Sequence, residues 1–482
     1  MTTPKSVTAV FDIGKTNKKF FLFDEQYGVV RKTQVKLKQT TDDDGDPCED
    51  LPALERWIKE NIREVQEDES VDVQALNFST YGASLVHLDE EGKTVTPLYN
   101  YLKPFPEDLL NQFYSSYKGR EGLSLETASP PMGMLNSGLQ LYWLKYGKPE
   151  VFKKIRKSLH FPQYLSYVMT GLQTSELTSI GCHTAMWNFE QDDYHAWMKQ
   201  EDLLELLPGI EPVTATFPVP WKDKTLETGV GIHDSSAALA PYLFALDEPF
   251  MLVSTGTWSI TFNPFNKQPL TFDELQRDCL CYLDVYGNQV KAARFFLGNE
   301  YSVQKERLMQ HFDIPEDAEP VDLDPKLMKE IIQKDNPALK LKLHTAYNSG
   351  PYPQNKPGEW DITQFDSYQE AYHQLMLDLA SIQAESIKLA GGDVSANKLV
   401  ITGGFSQNEF FIRLLACFFP EKEIYTSSLP NASALGAAMV VNDDSRLKHD
   451  KEAANRLLGL KKHEACKATE AGGYRWKESV LS

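Results

Sequence analysis

Asp12-Ile13-Gly14-Lys15-Thr16-Asn17 sets an acid, a glycine and a run of donors at the end of the apolar stretch Val7–Ile13. A carboxylate so placed can hold Mg²⁺ directly or through water, because that ion favours carboxylates and keeps several waters. Gly14 lets backbone come close to a phosphate. Lys15, Thr16, Asn17 and Lys19 can donate to phosphate oxygens. A plain surface turn with solvated lysines is the other reading of the same residues. Ala9–Thr16 also fits the loosest form of a P-loop. However, Val10, Phe11 and Ile13 stand where a flexible glycine loop belongs, and Lys19–Phe23 reads as a strand where a helix is required.

Three further segments have chemical potential. Ser254-Thr255-Gly256-Thr257-Trp258-Ser259 is a second strand-ending turn, and Gly256 and Thr257 could meet phosphate as the first turn does. In Gly231-Ile232-His233-Asp234-Ser235, Asp234 falls at a predicted helix N-terminus. Asp is a preferred N-cap there; it could also be a catalytic base, kept ionised by the helix dipole. His233 reads as structural more readily than catalytic. Thr402-Gly403-Gly404-Phe405-Ser406-Gln407-Asn408 takes a strand through two glycines into a helix, which suits either nucleotide contacts or a tight turn.

Alternating strands and helices must position these segments, which predicts an α/β chain. Val7–Ile13 and Lys19–Asp24 form a predicted hairpin. Leu51–Glu64 is an amphipathic helix and Ala75–Ser79 a strand. Ser158–Gly171 carries an aromatic-rich helix that Gly171 ends. Pro208, Pro212, Pro218 and Pro220 punctuate a stretch read as irregular. Near residue 247 the strand–glycine turn–strand pattern restarts in Phe250–Phe262. The predicted domains are therefore 1–246, 247–441 and a peripheral tail, 442–482. Asn336–Trp360 reads as irregular, Gln369–Leu389 and Ala432–Val441 as helices, and Asp42–Asp46 as a solvated acidic turn.

Sixty-eight acidic against 49 basic residues give a net charge of −19, a field that repels a nucleic-acid backbone. No stretch is long and apolar enough to cross a membrane, and the N-terminal apolar run is too short for a signal peptide, so cytoplasmic residence is expected. The cysteines are scattered, which argues against a disulfide framework. Cys279 and Cys281 would face the same side of a strand, as structural residues.

Taken together and in order, Asp12-Ile13-Gly14, Phe161–Gly171 with Glu176 and Thr178, Gly231–Ala238, Ser254–Ser259, Gly403–Asn408 and Asn431–Ala438 resemble the FGGY carbohydrate kinases, of the superfamily that includes actin, hexokinase and the heat-shock chaperone ATPases. The resemblance spans roughly residues 7 to 441. It implies two ribonuclease-H-like domains flanking a central cleft, with ATP and Mg²⁺ as cofactors, a small sugar as substrate, no nucleic-acid or membrane partner, and a homodimer as the family-level guess. By position it makes Asp12 the magnesium-associated acid and Asp234 the catalytic base. Lys15, Thr16, Asn17 and Lys19 become phosphate-loop residues. Gly256, Thr257, Gly298, Gly403, Gly404 and Asn408 become nucleotide contacts. The sugar falls to Gly82, Ala83, Ser84, His233 and Asp234. Lys15 stands where the family often has Thr, and could add a γ-phosphate contact. Gly82-Ala83 replaces the Arg-Glu pair of glycerol kinases, and Gln140 replaces a common Lys. The first departure argues against glycerol; Gln140 and Gly256-Thr257-Trp258-Ser259 resemble rhamnulose and fuculose kinases, so the implied acceptor is a ketose such as L-rhamnulose, L-fuculose or a pentulose. A sugar-independent ATPase switch and a catalytically silent sugar-binding protein are the competing readings.

Overall fold

The computed structural model describes residues 3–319, 321–334, 350–351, 361–394, 396–442 and 451–464. They fall into two compact units. The first comprises the described residues of Met1–Ala245, Cys281–Gln289 and Pro430–Leu457; the second, those of Leu246–Leu280, Val290–Leu429 and Leu458–Ser482.

In the first unit, strand Lys5–Ile13 turns through Gly14–Asn17 into the antiparallel strand Lys18–Asp24, with Asp12 opposite Lys19. Val29–Val35 extends this edge. On its other side Lys5–Ile13 pairs in parallel with Val71–Thr80, reached through helix Leu51–Glu67. The crossover supplies the length that a parallel pair requires. The central strand is buried from Val7 to Ile13, as a sheet covered on both faces demands. Phe11, Phe20, Phe78, Leu54, Ile58 and Phe161 lie in the core on one face of this sheet. Helix Phe161–Thr170 ends at Gly171, whose φ of 71° is the left-handed C-terminal geometry glycine favours.

The second unit repeats the plan. Phe250–Thr255 pairs antiparallel with Ser259–Asn263 and parallel with Lys398–Gly403. Helices Leu297–His311 and Tyr368–Gly391 intervene in the chain, and Lys398–Gly403 leads through Gly404–Gln407 to helix Glu409–Phe418. Glu423–Ser427 adds a further parallel strand.

Several elements depart from the sequence expectations. Thr216–Trp221 and Lys224–Gly229 form a hairpin where irregular chain was expected. Pro218 and Pro220 are tolerated because Thr216–Trp221 is the edge strand of its sheet. Helix Ala432–Val441 belongs to the first unit, not with residues 247–429, because its small residues allow close approach to helix Asp234–Ala245: a Cβ on Gly436 would strike the carbonyl of Ala237. The tail is not simply peripheral, since Leu460–Lys462 pairs with Glu423–Ser427. Residues 443–450 and 465–482, like most of Asn336–Trp360, lie outside the described residues. The acidic turn is not merely solvated either. Lys103 Nζ lies among Asp42, Asp44 and Asp46 at 2.8, 3.0 and 2.5 Å and draws Asp42 into the protein. Among the described residues no helix is long and apolar enough to cross a membrane.

Candidate active site

Two strands that flank Val71–Thr80, each parallel to it, deliver two acids to one end of the first sheet. Asp12 is the penultimate residue of Lys5–Ile13 and sits opposite Ser79. The short strand Ile232–His233 pairs with Ser79–Thr80, and Asp234 opens the helix directly after it. Asp12 is 5% exposed; Ser433 Oγ donates to its Oδ1 at 3.0 Å, and Lys19 Nζ stands 3.4 Å from Oδ2. Burial raises the Asp12 pKa despite Lys19.

Asp234 departs from the expectation that its helix dipole keeps it ionised. Its pKa is raised to about 7. Although a third of its side chain remains open to solvent, the protein atoms crowded around the carboxylate desolvate it first, and the charge of Asp12 adds to that. Hydrogen bonds from Ser235 act in the opposite direction and do not compensate. The result is a proton acceptor poised near neutrality.

His233 is 3% exposed, with Nε2 at 3.0 Å from Cys182 Sγ and 3.2 Å from Asp234 Oδ1. Burial lowers its pKa to about 3, so the ring beside the acid is neutral. Gly82, Ala83 and Ser84 follow the strand Val71–Thr80 and line a small cavity together with His233. Gly82 has no room for a side chain: a Cβ there would lie 2.5 Å from Cys182 Sγ and 3.0 Å from His233 Cδ2.

The hairpin residues divide. Gly14 N–H donates to Asn17 O at 3.0 Å and closes the turn. Thr16 is exposed, and Asn17 Oδ1 accepts from Gln34. Lys15 already has partners within its own unit. Its Nζ donates to Asn100 Oδ1 at 3.1 Å and lies 5.2 and 4.8 Å from the ring centres of Tyr81 and Tyr101. Burial lowers the pKa of Lys15. Sequence reasoning missed Lys18, which is 2% exposed. Its Nζ donates to Gly14 O, Lys15 O and Glu49, pinning the turn from beneath. A lysine opening an otherwise apolar strand was the available signal. Nothing local in the sequence marks Ser433, Asn100 or Tyr101, which reach the site from distant segments.

In the second unit, Gly256, Thr257, Gly298, Gly404 and Asn408 all line one cavity of about 770 Å³, a size suited to a small ligand. Gly298 N–H donates to Thr257 O at 3.1 Å, and its missing side chain lets it lie against the Gly256 carbonyl. Tyr301, Tyr372 and Phe405 add aromatic surface that a flat base can use. Asn408 Oδ1 caps helix Glu409–Phe418 by accepting from Phe411 N–H at 3.0 Å. Gly403 is the exception. It does not line the cavity; it holds φ 84° where a Cβ would strike the Thr255 carbonyl, so its place is at the turn.

Residues 7–206 match the model of the N-terminal domain of the FGGY family of carbohydrate kinases, and residues 247–450 match that of the FGGY C-terminal domain. A rhamnulokinase of Halalkalibacterium halodurans is 25% identical over 232 residues, 46% of this chain and about half (48%) of that protein. A rhamnulokinase of Yersinia pestis is 23% identical over 398 residues, 77% of this chain and 76% of that one. The fold is shared with the solved carbohydrate kinase of Novosphingobium aromaticivorans, at a TM-score of 0.76 and 24% identity, covering 91% of this chain and 92% of that one. With both domain models matched in order across most of its length, the chain belongs to the FGGY family of carbohydrate kinases.

Proposed function

We propose that this protein transfers the γ-phosphoryl group of ATP to a primary hydroxyl of a small ketose, of the L-rhamnulose, L-fuculose or pentulose type. The observation that carries this reading is Asp234, a carboxylate raised to about 7 by burial and by the charge of Asp12, next in the chain to His233, which lines a small cavity with Gly82. The ketose class is supported by the two rhamnulokinase relatives.

Asp234 Oδ accepts the proton of the acceptor hydroxyl. The hydroxyl oxygen forms a bond to the γ-phosphorus, the bond from that phosphorus to the bridging oxygen breaks, and ADP leaves with those electrons. Asp234 then returns its proton to solvent. Such a transition state is loose, so orientation and charge stabilisation supply most of the rate. His233, neutral and 3.2 Å from Asp234, orients the carboxylate. The 770 Å³ cavity would take the nucleotide, with aromatic surface for the base and the bare backbone of Gly256 and Gly404 for phosphates.

The acids fit a divalent cation. Both Asp12 and Asp234 are carboxylates, the ligand type Mg²⁺ favours, and the charge of Asp12 is felt at Asp234. Asp12 is the residue that would hold magnesium, which when bound neutralises phosphate charge.

Acceptor-dependent ADP release across a panel of ketoses, polyols and aldoses tests the reading. A rate that rises with one ketose is the expected result. Hydrolysis indifferent to every sugar would sink it in favour of an ATPase switch. Asp234→Asn should keep sugar binding and lose roughly 10²–10⁴-fold in turnover, the scale of general-base loss; near-normal turnover would remove Asp234 from the role.

A further inference from the structure

Beside His233 the first unit holds a small, partly open polar recess. Gly82, Ala83, Ser84, His160, Ser179 and His233 line it, and its volume of about 10 Å³ is room for one water-sized group. Of its lining residues only Gly82 is partly exposed. The strand Lys157–His160, paired antiparallel with Leu85–Leu88, brings His160 to it. Leu85 lies opposite His160, and Phe161 N–H donates to Ser84 O at 3.1 Å.

Three side chains lining the recess lack partners. Both ring nitrogens of His160 and the hydroxyls of Ser84 and Ser179 are buried without a hydrogen bond among the described residues. His160 is 2% exposed and Ser84 likewise 2%. Buried polar groups left unpaired cost free energy, so four such atoms around one small recess call for a ligand. Burial holds the His160 pKa at about 4, so its ring is neutral near pH 7 and offers one donor and one acceptor. A hydroxyl group also donates once and accepts, which makes it the natural complement. A methyl group in the same space would leave all four atoms unpaired.

We infer that the recess lined by Ser84 and His160 binds one hydroxyl of the ketose, distinct from the hydroxyl that is phosphorylated, and thereby selects acceptors that carry it. This rests on the kinase reading above. His160 is thus a specificity-determining residue. It stands beside His233 and is not a proton acceptor in the reaction.

The test compares each accepted ketose with analogues lacking one hydroxyl at the third, fourth, fifth or sixth carbon. L-fructose against L-rhamnulose and L-tagatose against L-fuculose are ready pairs for the last position. kcat/KM would be measured for the wild-type chain, His160→Phe, Ser84→Ala and, as the rescue, His160→Gln. Sites built to hydrogen-bond a hydroxyl discriminate strongly against its absence, so one analogue should be disfavoured by roughly 10²-fold or more by the wild type. His160→Phe and Ser84→Ala should shrink that one ratio, mainly by raising KM for the hydroxylated sugar, and His160→Gln should restore part of it. If every ratio is the same in wild type and variants, the recess holds only a structural water and the inference is overturned. Should His160→Phe fail to fold, the Ser84→Ala ratios decide. Absence of sugar-dependent ADP release from the wild type overturns the kinase reading itself, an outcome distinct from turnover with unchanged ratios.

Discussion

Burial and the charge of Asp12 raise the Asp234 pKa to about 7, so the fraction able to accept a proton changes steeply across the neutral range. The acid limb of kcat/KM reports the free enzyme's base. Activity should therefore rise with pH through a midpoint near 7. Asp12→Asn removes one of the two causes of the elevation, and the midpoint should move to lower pH. It should stay above the ordinary carboxylate value, since burial, the larger cause, remains. Turnover will fall as well, so the informative quantity is the midpoint of the pH profile and not the maximal rate. An unmoved midpoint would mean that Asp12 does not act on Asp234 electrostatically. Lys18 gives a second prediction at this scale. Its side chain and that of Glu49 are 2% and 4% exposed and form a buried ion pair. Lys18→Met leaves Glu49 without its cation, with the Tyr81 hydroxyl still donating to it at 3.3 Å, which should cost about 3–5 kcal/mol in chemical denaturation. A loss under 1 kcal/mol would show that Glu49 finds another partner or takes up a proton.

The elements that carry the site were legible to different degrees, for physical reasons. The two strand–turn–strand hairpins, the Asp234 helix and helix Ala432–Val441 have local signals: apolar runs, glycine turns, an N-terminal acid, small residues. Their partners do not. Thr216–Trp221 reads as irregular because two prolines argue against a strand, and only its edge position makes them harmless. The placement of helix Ala432–Val441 in the first unit depends on contacts across more than 400 residues, such as Ser433 with Asp12. No local pattern could encode them. Lys103 among the acids of Asp42–Asp46 is likewise a long-range pairing. The glycine that permits the helix contact is testable. Gly436→Val would push helix Ala432–Val441 away from the Ala237 carbonyl and displace both Ser433 and Asp234. Overpacking of this kind typically costs about 1–3 kcal/mol. The expected outcome is a lowered Tm together with turnover reduced beyond what the stability loss explains. Unchanged stability would mean that the two helices can separate without cost.

For the molecule as a whole, each unit carries its own half of the chemistry. The acids and the acceptor recess lie in the first unit, and the large glycine- and aromatic-lined cavity lies in the second. Ligands should accordingly protect different stretches of backbone. A ligand that binds only the folded state suppresses local opening in the segments it touches, by about 2.7 kcal/mol at a hundredfold excess over Kd. Hydrogen exchange with a non-hydrolysable ATP analogue alone should slow amides around Gly256–Thr257, Gly298–Ser302 and Gly404–Phe410, which line the second unit's cavity. Ketose alone should slow amides around Thr80–Ser84 and Ile232–Ser235, next to the recess and the acids. Nucleotide protection confined to Gly14–Lys19 would move the principal nucleotide contacts to the hairpin and strip the 770 Å³ cavity of its assigned role. Ketose protection absent from Thr80–Ser84 would detach the sugar from the recess and leave Asp234 without the acceptor its raised pKa is suited to deprotonate.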